Sequence, residues 1–167
     1  MPATLTLSRR GGTVIDHIDK AILTVLQEDS TLSVAEIADR VHLSTTPCWR
    51  RIQKLEQDGV IARRVALLDA DKLNVGVTVL VEIRTAQHTA AWLKRFCDVV
   101  ADIPEVIEVY RMSGHIDYLL KVVVPHIAGY DGVYKRLISE LEIFDVSSSF
   151  SMETIKHTTR LPLDYVC

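Results

Sequence analysis

Residues Ser33 to Gly59 constrain the fold more tightly than any other part of the chain, because they mark the ends of two short helices and of the bend between them. Ser33 and Glu36 stand at the S-x-x-E spacing of a capping box, in which each side chain satisfies an otherwise orphaned backbone N–H. Leu32 before the cap and Ile37 inside the helix make a hydrophobic staple across the same start. The first helix offers Ile37, Ala38 and Val41 to a core and stops near His42, since Ser44 is a fresh N-cap and Pro47 fits only the first turn of a new helix. Two capped helices joined by a tight turn are the helix-turn-helix plan.

At about 100° per residue, Cys48, Ile52 and Leu55 of the second helix fall on one side and face inward. Thr45, at the start of that helix, and Thr46, Trp49, Arg50, Gln53 and Lys54 are left to the outside, with Arg51 on the flank. Their guanidinium, amide, ammonium and hydroxyl groups suit base edges and phosphates of double-stranded DNA. Gly59 is placed to end the helix in the left-handed region. Between Ser44 and Arg64, the basic residues Arg50, Arg51, Lys54, Arg63 and Arg64 face only Glu56 and Asp58, a local balance that favours a polyanion. An arginine-rich helix face is also a common solvated surface, so the remainder of the chain has to supply the context.

With 48% hydrophobic and 25% charged residues, the chain has the make-up of a globular protein and cannot be largely disordered. Its net charge of −3 excludes a histone-like binder. Residues 1–70 carry nine basic and nine acidic groups and residues 71–167 carry ten and thirteen, so a nucleic-acid site must be a local patch in the first part. Cys48, Cys97 and Cys167 are too far apart for a metal knuckle and too few for a disulfide framework, which fits a reducing cytoplasm. No stretch reads as a signal peptide or membrane span, and the expected localisation is cytoplasmic.

In chain order, residues 1–14 read as a flexible arm in which Arg9 and Arg10 are free to meet phosphate. Residues 15–61 form the helix-turn-helix domain, opened by a helix from Asp16 with Ile18, Ile22, Val25 and Leu26 as its apolar stripe. Residues 62–74 read as a strand or wing and a linker, with Asp69 to Lys72 as the domain boundary. From Val75 to Ile83 strict alternation signals a strand with one buried face. A helix carrying Trp92, Phe96 and Val100, an extended run from Glu105 to Met112, a turn at Ser113 to His115 and a strand from Asp117 to Val124 follow. A helix bearing Tyr130, Tyr134 and Leu137 and a last strand from Asp145 to Ile155 complete the pattern, leaving 158–167 as a tail or an extra strand.

The sequence therefore predicts an α+β protein, an N-terminal winged helix-turn-helix domain followed over residues 75–157 by a βαββαβ ferredoxin-like domain. Two helices cover one face of such a sheet, so the other face is expected to meet a second copy, giving a homodimer. Its two reading helices would then address a palindromic operator.

These residues resemble the Lrp/AsnC, or feast/famine, family of transcription regulators. The resemblance rests on Ile15-Asp16-x-x-Asp19, Leu43-Ser44-Thr45-Thr46-Pro47-Cys48 and Arg51-Ile52-x-x-Leu55-Glu56-x-x-Gly59-Val60-Ile61. Further along, Ser113-Gly114-x-x-Asp117-Tyr118-Leu119-Leu120-Lys121 and Val124-Pro125 carry it, and it spans residues 15–160. It implies a small amino-acid effector, bound by the second domain and often held between dimers in octameric assemblies. No cofactor and no metal are expected. The resemblance also implies an effector site made of Met112, Ser113, Gly114, His115 and Asp117, of Ile127, and of Ser148, Ser149, Phe150 and Ser151. Backbone N–H groups of a glycine turn hold a carboxylate and Asp117 accepts from an α-ammonium, although Asp117 as a simple hairpin cap is the plainer alternative. His115 and the hydroxyl-rich Ser147–Ser151 run depart from the usual family pattern and leave the effector's identity open, while Thr45 to Trp49 and Ser148 to Lys156 are similar to a subgroup that senses small polar or sulfur amino acids.

Two competing classes stay in view. An enzyme would draw on His88, His115, His126 or His157 with Asp117 or Glu153, yet no pair has metal-helix spacing and no nucleophile motif surrounds a serine or cysteine, so no catalytic residue is assigned. A protein-interaction or effector-binding module without a DNA role is the other.

Overall fold

The computed structural model describes residues 14–166, and the arm read over residues 1–14 lies, apart from Val14, outside the described residues. The chain divides into two compact units, a head that takes in residues up to Ala66 and the segment from Lys156 onward, and a sheet unit over Leu67–Ile155.

The head is built from helices α1 (His17–Glu28), α2 (Val34–Arg40) and α3 (Thr45–Gln57). Each begins where its sequence supplies a stop for orphaned N–H groups. Asp16 caps α1 in a full capping box with Asp19, and Ser33 does the same for α2 with Glu36. The turn between α2 and α3 closes through His42, whose φ of 55° puts it in the left-handed region. Ser44 occupies the cap position of α3 without a side-chain hydrogen bond, so Pro47 in the first turn carries more of the start than the serine does. Gly59, at φ 74°, turns the chain out of α3 as expected of a glycine past a helix end. Ile22, Leu23, Ile37, Ala38, Cys48, Ile52 and Leu55 close into one core, with Leu163 from the far end of the chain packed against it.

The strand or wing expected between Val60 and Leu68 does not form: residues 62–69 have no regular structure, and a lone extended segment with no strand to pair with gains nothing from being extended. Asp69 instead starts a helical turn, accepting from the backbone of Asp71 and Lys72, which runs to Asn74.

The sheet unit contains β1 (Val77–Arg84), α4 (Ala90–Ala101), β2 (Val106–Arg111), β3 (Tyr118–Val124), α5 (Tyr130–Glu140) and β4 (Asp145–Phe150), with a 3-10 turn at Ile127–Gly129 before α5. The strand order is β2-β3-β1-β4, all antiparallel, the arrangement of a ferredoxin-like fold. β4 ends at Phe150, short of the expected Ile155.

Val79, Val81 and Ile83 of β1 and Leu120, Val122 and Val124 of β3 are fully buried beneath the two helices. Phe96 packs on Trp92 and on Tyr118, and the Trp92 indole donates to the backbone oxygen of Glu142 at 3.0 Å, so the large ring is buried without an unsatisfied N–H. The opposite face is mixed: Leu80 is 40% exposed, while Lys121 and Glu108 form an ion pair at 3.0 Å.

Candidate nucleic-acid interface and effector site

On α3 the inward and outward residues separate as a 3.6-residue repeat requires, with Cys48, Ile52 and Leu55 buried. Thr45, Thr46, Trp49, Arg50 and Lys54 are exposed and Gln53 is half-buried. Trp49 keeps half of its surface open, an exposure that a purely structural tryptophan seldom has. Gln53 and Lys54 are held by Glu56 and Asp58, which aligns their side chains along the helix.

Arg51 behaves differently. Its guanidinium donates to Asp16 at 2.7 Å and to Asp19 at 2.8 Å, so it ties α3 to the start of α1 and is committed inside the head. The Asp19 backbone N–H bound to the Asp16 carboxylate, together with Arg51, holds the pKa of Asp16 below its ordinary value. The same contacts, Asp19 foremost, raise the pKa of Arg51. Sequence reasoning puts Arg51 on the flank of the DNA-reading face and misses the capping box of α1; the D-x-x-D spacing at Asp16 and Asp19 is the signal available for it. Burial pushes the Cys48 thiol up, as fits a small core side chain.

In the sheet unit the β2–β3 hairpin is closed by the Met112 N–H donating to the Asp117 oxygen at 2.8 Å. Ser113, Gly114 and His115 are exposed at its tip, and Gly114 adopts φ 128°, a backbone open to glycine alone at low strain. The Asp117 carboxylate accepts from the backbone N–H of Thr85 at 2.8 Å and its own N–H donates to the Ile83 oxygen at 2.9 Å, so this residue joins the hairpin to the end of β1.

At β4 the expected effector residues divide between two faces, since successive strand residues alternate. Ser148 pairs with buried Val81 and Phe150 with buried Val79, and both turn toward α5. There the Ser148 hydroxyl meets the Tyr130 hydroxyl at 2.6 Å and Phe150 stands edge-on to the Tyr130 ring at 5.8 Å. Burial raises the Tyr130 pKa, partly offset by Ser148, and keeps this phenol a neutral hydrogen-bonding group. Ser149 faces the other way, paired with Leu80, and Ser151 continues the chain with its N–H donating to Thr78. Tyr130, the neighbour of Ser148 and Phe150, is a residue that sequence reasoning places only on the helix stripe.

β1 lies between the hairpin's β3 and β4, and the hairpin and the start of α5 leave β3 at opposite ends. Tyr118 at the hairpin foot pairs with Ile83, and Val124 at the other end of β3 pairs with Val77. Six steps of strand at about 3.3 Å each separate them by about 20 Å. Ile127, 64% exposed, lies just beyond Val124, at the Phe150 end of the sheet.

No group of His, Cys, Asp or Glu among the described residues could hold a metal ion. No helix among them is long and apolar enough to cross a membrane.

Comparison with known proteins follows the same division. Residues 15–62 match the winged helix-turn-helix DNA-binding family and residues 78–161 match the Lrp/AsnC ligand binding domain. The chain is 51% identical to the glutamate uptake regulatory protein of Zymomonas mobilis, over 89% of this chain and 91% of that one. An AsnC family transcriptional regulator from Agrobacterium tumefaciens superposes with a TM-score of 0.88 at 66% identity, covering 91% of this chain and 99% of the other. A transcriptional regulator from Neisseria meningitidis, solved as its L-methionine complex, superposes at 0.86 with 33% identity over 91% of this chain and 99% of that chain.

Proposed function

Because this chain belongs to the Lrp/AsnC family of transcription regulators, we propose that α3 reads two-fold-related half-sites of operator DNA and that the sheet unit holds a small amino acid between copies of the chain. Membership in the family makes the protein a DNA-binding regulator that answers to an amino acid. The assignment of residues to these tasks is our own.

For the DNA side, Thr45, Thr46, Trp49, Arg50, Gln53 and Lys54 form the reading surface, and Arg51 sets the pose of α3 through Asp16 and Asp19. Arg50 has no carboxylate partner among the described ion pairs, whereas Arg51, Lys54 and Arg64 each do. That leaves its guanidinium ready for a bidentate bond to a guanine edge.

For the effector side, one observation carries the reading: the hairpin residues and Ile127 stand at opposite ends of β3, while Ser148 and Phe150 lie two strands away from it on β4. Met112, Ser113, Gly114, His115 and Asp117 form one half of the site, and Ile127, Ser148, Ser149, Phe150 and Ser151 the other. A ligand the size of an amino acid cannot bridge about 20 Å, so a site using both the hairpin and Ile127 draws them from two copies. The mixed outer face of the sheet supports a homodimer, and the divided site supports pairing of dimers, as in an octamer. Nothing in this arrangement calls for a catalytic group, and none is assigned.

L-Methionine, the ligand of the Neisseria relative, and L-glutamate are the first probes, followed by the other proteinogenic amino acids in a thermal-shift screen. A ligand present at about a hundred times its Kd adds about 2.7 kcal/mol and raises the melting temperature. A flat screen across all of them would remove the effector half of the proposal.

A further inference from the structure

The segment from Lys156 onward belongs to the head, not to the sheet unit in which β4 lies. Its contacts are specific. The Gln27 side chain grips the backbone of Leu161 from both sides, accepting from its N–H at 2.6 Å and donating to its oxygen at 3.2 Å, so the amide stands in for a neighbouring strand. Lys20 donates to the Val166 oxygen at 2.8 Å, and Arg160 pairs with Glu28. The last turn of α1 contains no basic residue of its own, so Arg160 brings the positive charge that a helix C-terminus favours. Leu163 packs on the head's apolar core.

We propose that residues 158–166 are a clasp that joins α1 to β4, and through β4 to the effector residues Ser148 and Phe150. The chain passes between the two units twice, once through residues 62–69 and once through residues 151–157. One linker of eight unstructured residues lets its ends wander over about 15 Å, whereas a second tether gripped on both sides takes most of that freedom away. A shift of β4 is then passed to α1, and from α1 to α3 through Arg51 bound to Asp16 and Asp19. Only this last part, the transmission of an effector signal, rests on the proposed function; the mechanical tether does not.

The test uses the whole chain with Cys167→Ser, spin-labelled at the exposed Cys97 and at a cysteine introduced by Asp39→Cys, the native Cys48 being buried. It is compared with a version ending at His157 and with a full-length Gln27→Ala, Arg160→Ala version, and circular dichroism verifies that the helices persist. The expected result is a label-to-label distance distribution wider by about 10 Å in both altered chains, the order of freedom one linker permits. Equal widths in a folded double variant overturn the clasp, whatever the truncated chain does. Operator affinity with and without each proteinogenic amino acid, L-methionine first, then reads the coupling. The intact chain is expected to respond and the unclasped chains to lose that response, while an undiminished response without the clasp overturns the coupling. An intact chain that ignores every amino acid counts against the proposed effector and against transmission, and the distance widths still decide the tether.

Discussion

Arg50 and Arg51 are neighbours with opposite fates, and the difference lies in what each can reach. Arg51 finds two carboxylates at 2.7 and 2.8 Å at the start of α1 in its own head, and Arg50 is exposed to solvent. Replacing Arg50 with alanine should leave the melting temperature and assembly unchanged and weaken operator binding about tenfold or more, from the roughly 1–3 kcal/mol of a bidentate base contact. Fluorescence anisotropy measures this, and unaltered affinity would take Arg50 out of the interface. Asp117 poses a different problem, because the same carboxylate serves the hairpin and is proposed to serve the ligand. Asp117→Asn separates the roles: the amide oxygen still accepts from Thr85, but the negative charge opposite an α-ammonium is gone. Calorimetry is expected to show the fold intact and amino-acid binding reduced by about tenfold or more, in line with the loss of a charge-assisted hydrogen bond. Equal affinity would return Asp117 to a purely structural part.

Among the elements, α1 is the one whose importance grew most once its neighbours were known. It carries the Asp16 cap, the Arg51 pair and the C-terminal segment on successive parts of its length. Asp16, Asp29 and Glu36 all have pKa values below the ordinary ones, chiefly through hydrogen bonds from Asp19, Thr31 and Ser33 respectively. A carboxyl with a depressed folded-state pKa stabilises the fold above its unfolded pKa of about 4, and that stabilisation is lost as pH falls through the folded value. The head is therefore expected to weaken steadily below about pH 4, and Asp16→Asn to be less stable at pH 7 but to vary less with acidification. Melting curves across that range check it, and parallel pH profiles for the two chains would contradict it. The helix starts, the strand alternation and the inward face of α3 were legible because each depends on residues within a few positions of one another. The Arg51 clamp was not, as its partners lie 32 and 35 residues earlier. Nor was the docking of the tail, which rests on backbone groups of Leu161 and Val166 that have no sequence signature. The division of Ser148 and Phe150 from Ser149 was implicit in the two-residue period of a strand, but only the register with β1 says which pair faces Tyr130. The wing expected between Val60 and Leu68 does not form because β-branched residues and arginines favour an extended chain without providing a partner for it.

For the molecule as a whole, the central claim is that one unit reads DNA and the other reports a metabolite to it. Both units have their own core, so each can keep its own shape. Since reciprocity binds the two events, an amino acid that changes operator affinity by a given factor must have its own affinity changed by the same factor. The most direct measurement is a fluorescence-anisotropy titration of the intact chain on a duplex enriched from random sequence, repeated with saturating amino acid from the thermal-shift screen. The account predicts a two-fold-symmetric enriched site and an effector-dependent shift in affinity of about fivefold or more, the lower range of allosteric coupling. Equal affinity for enriched and random duplexes, with and without the amino acid, would contradict it.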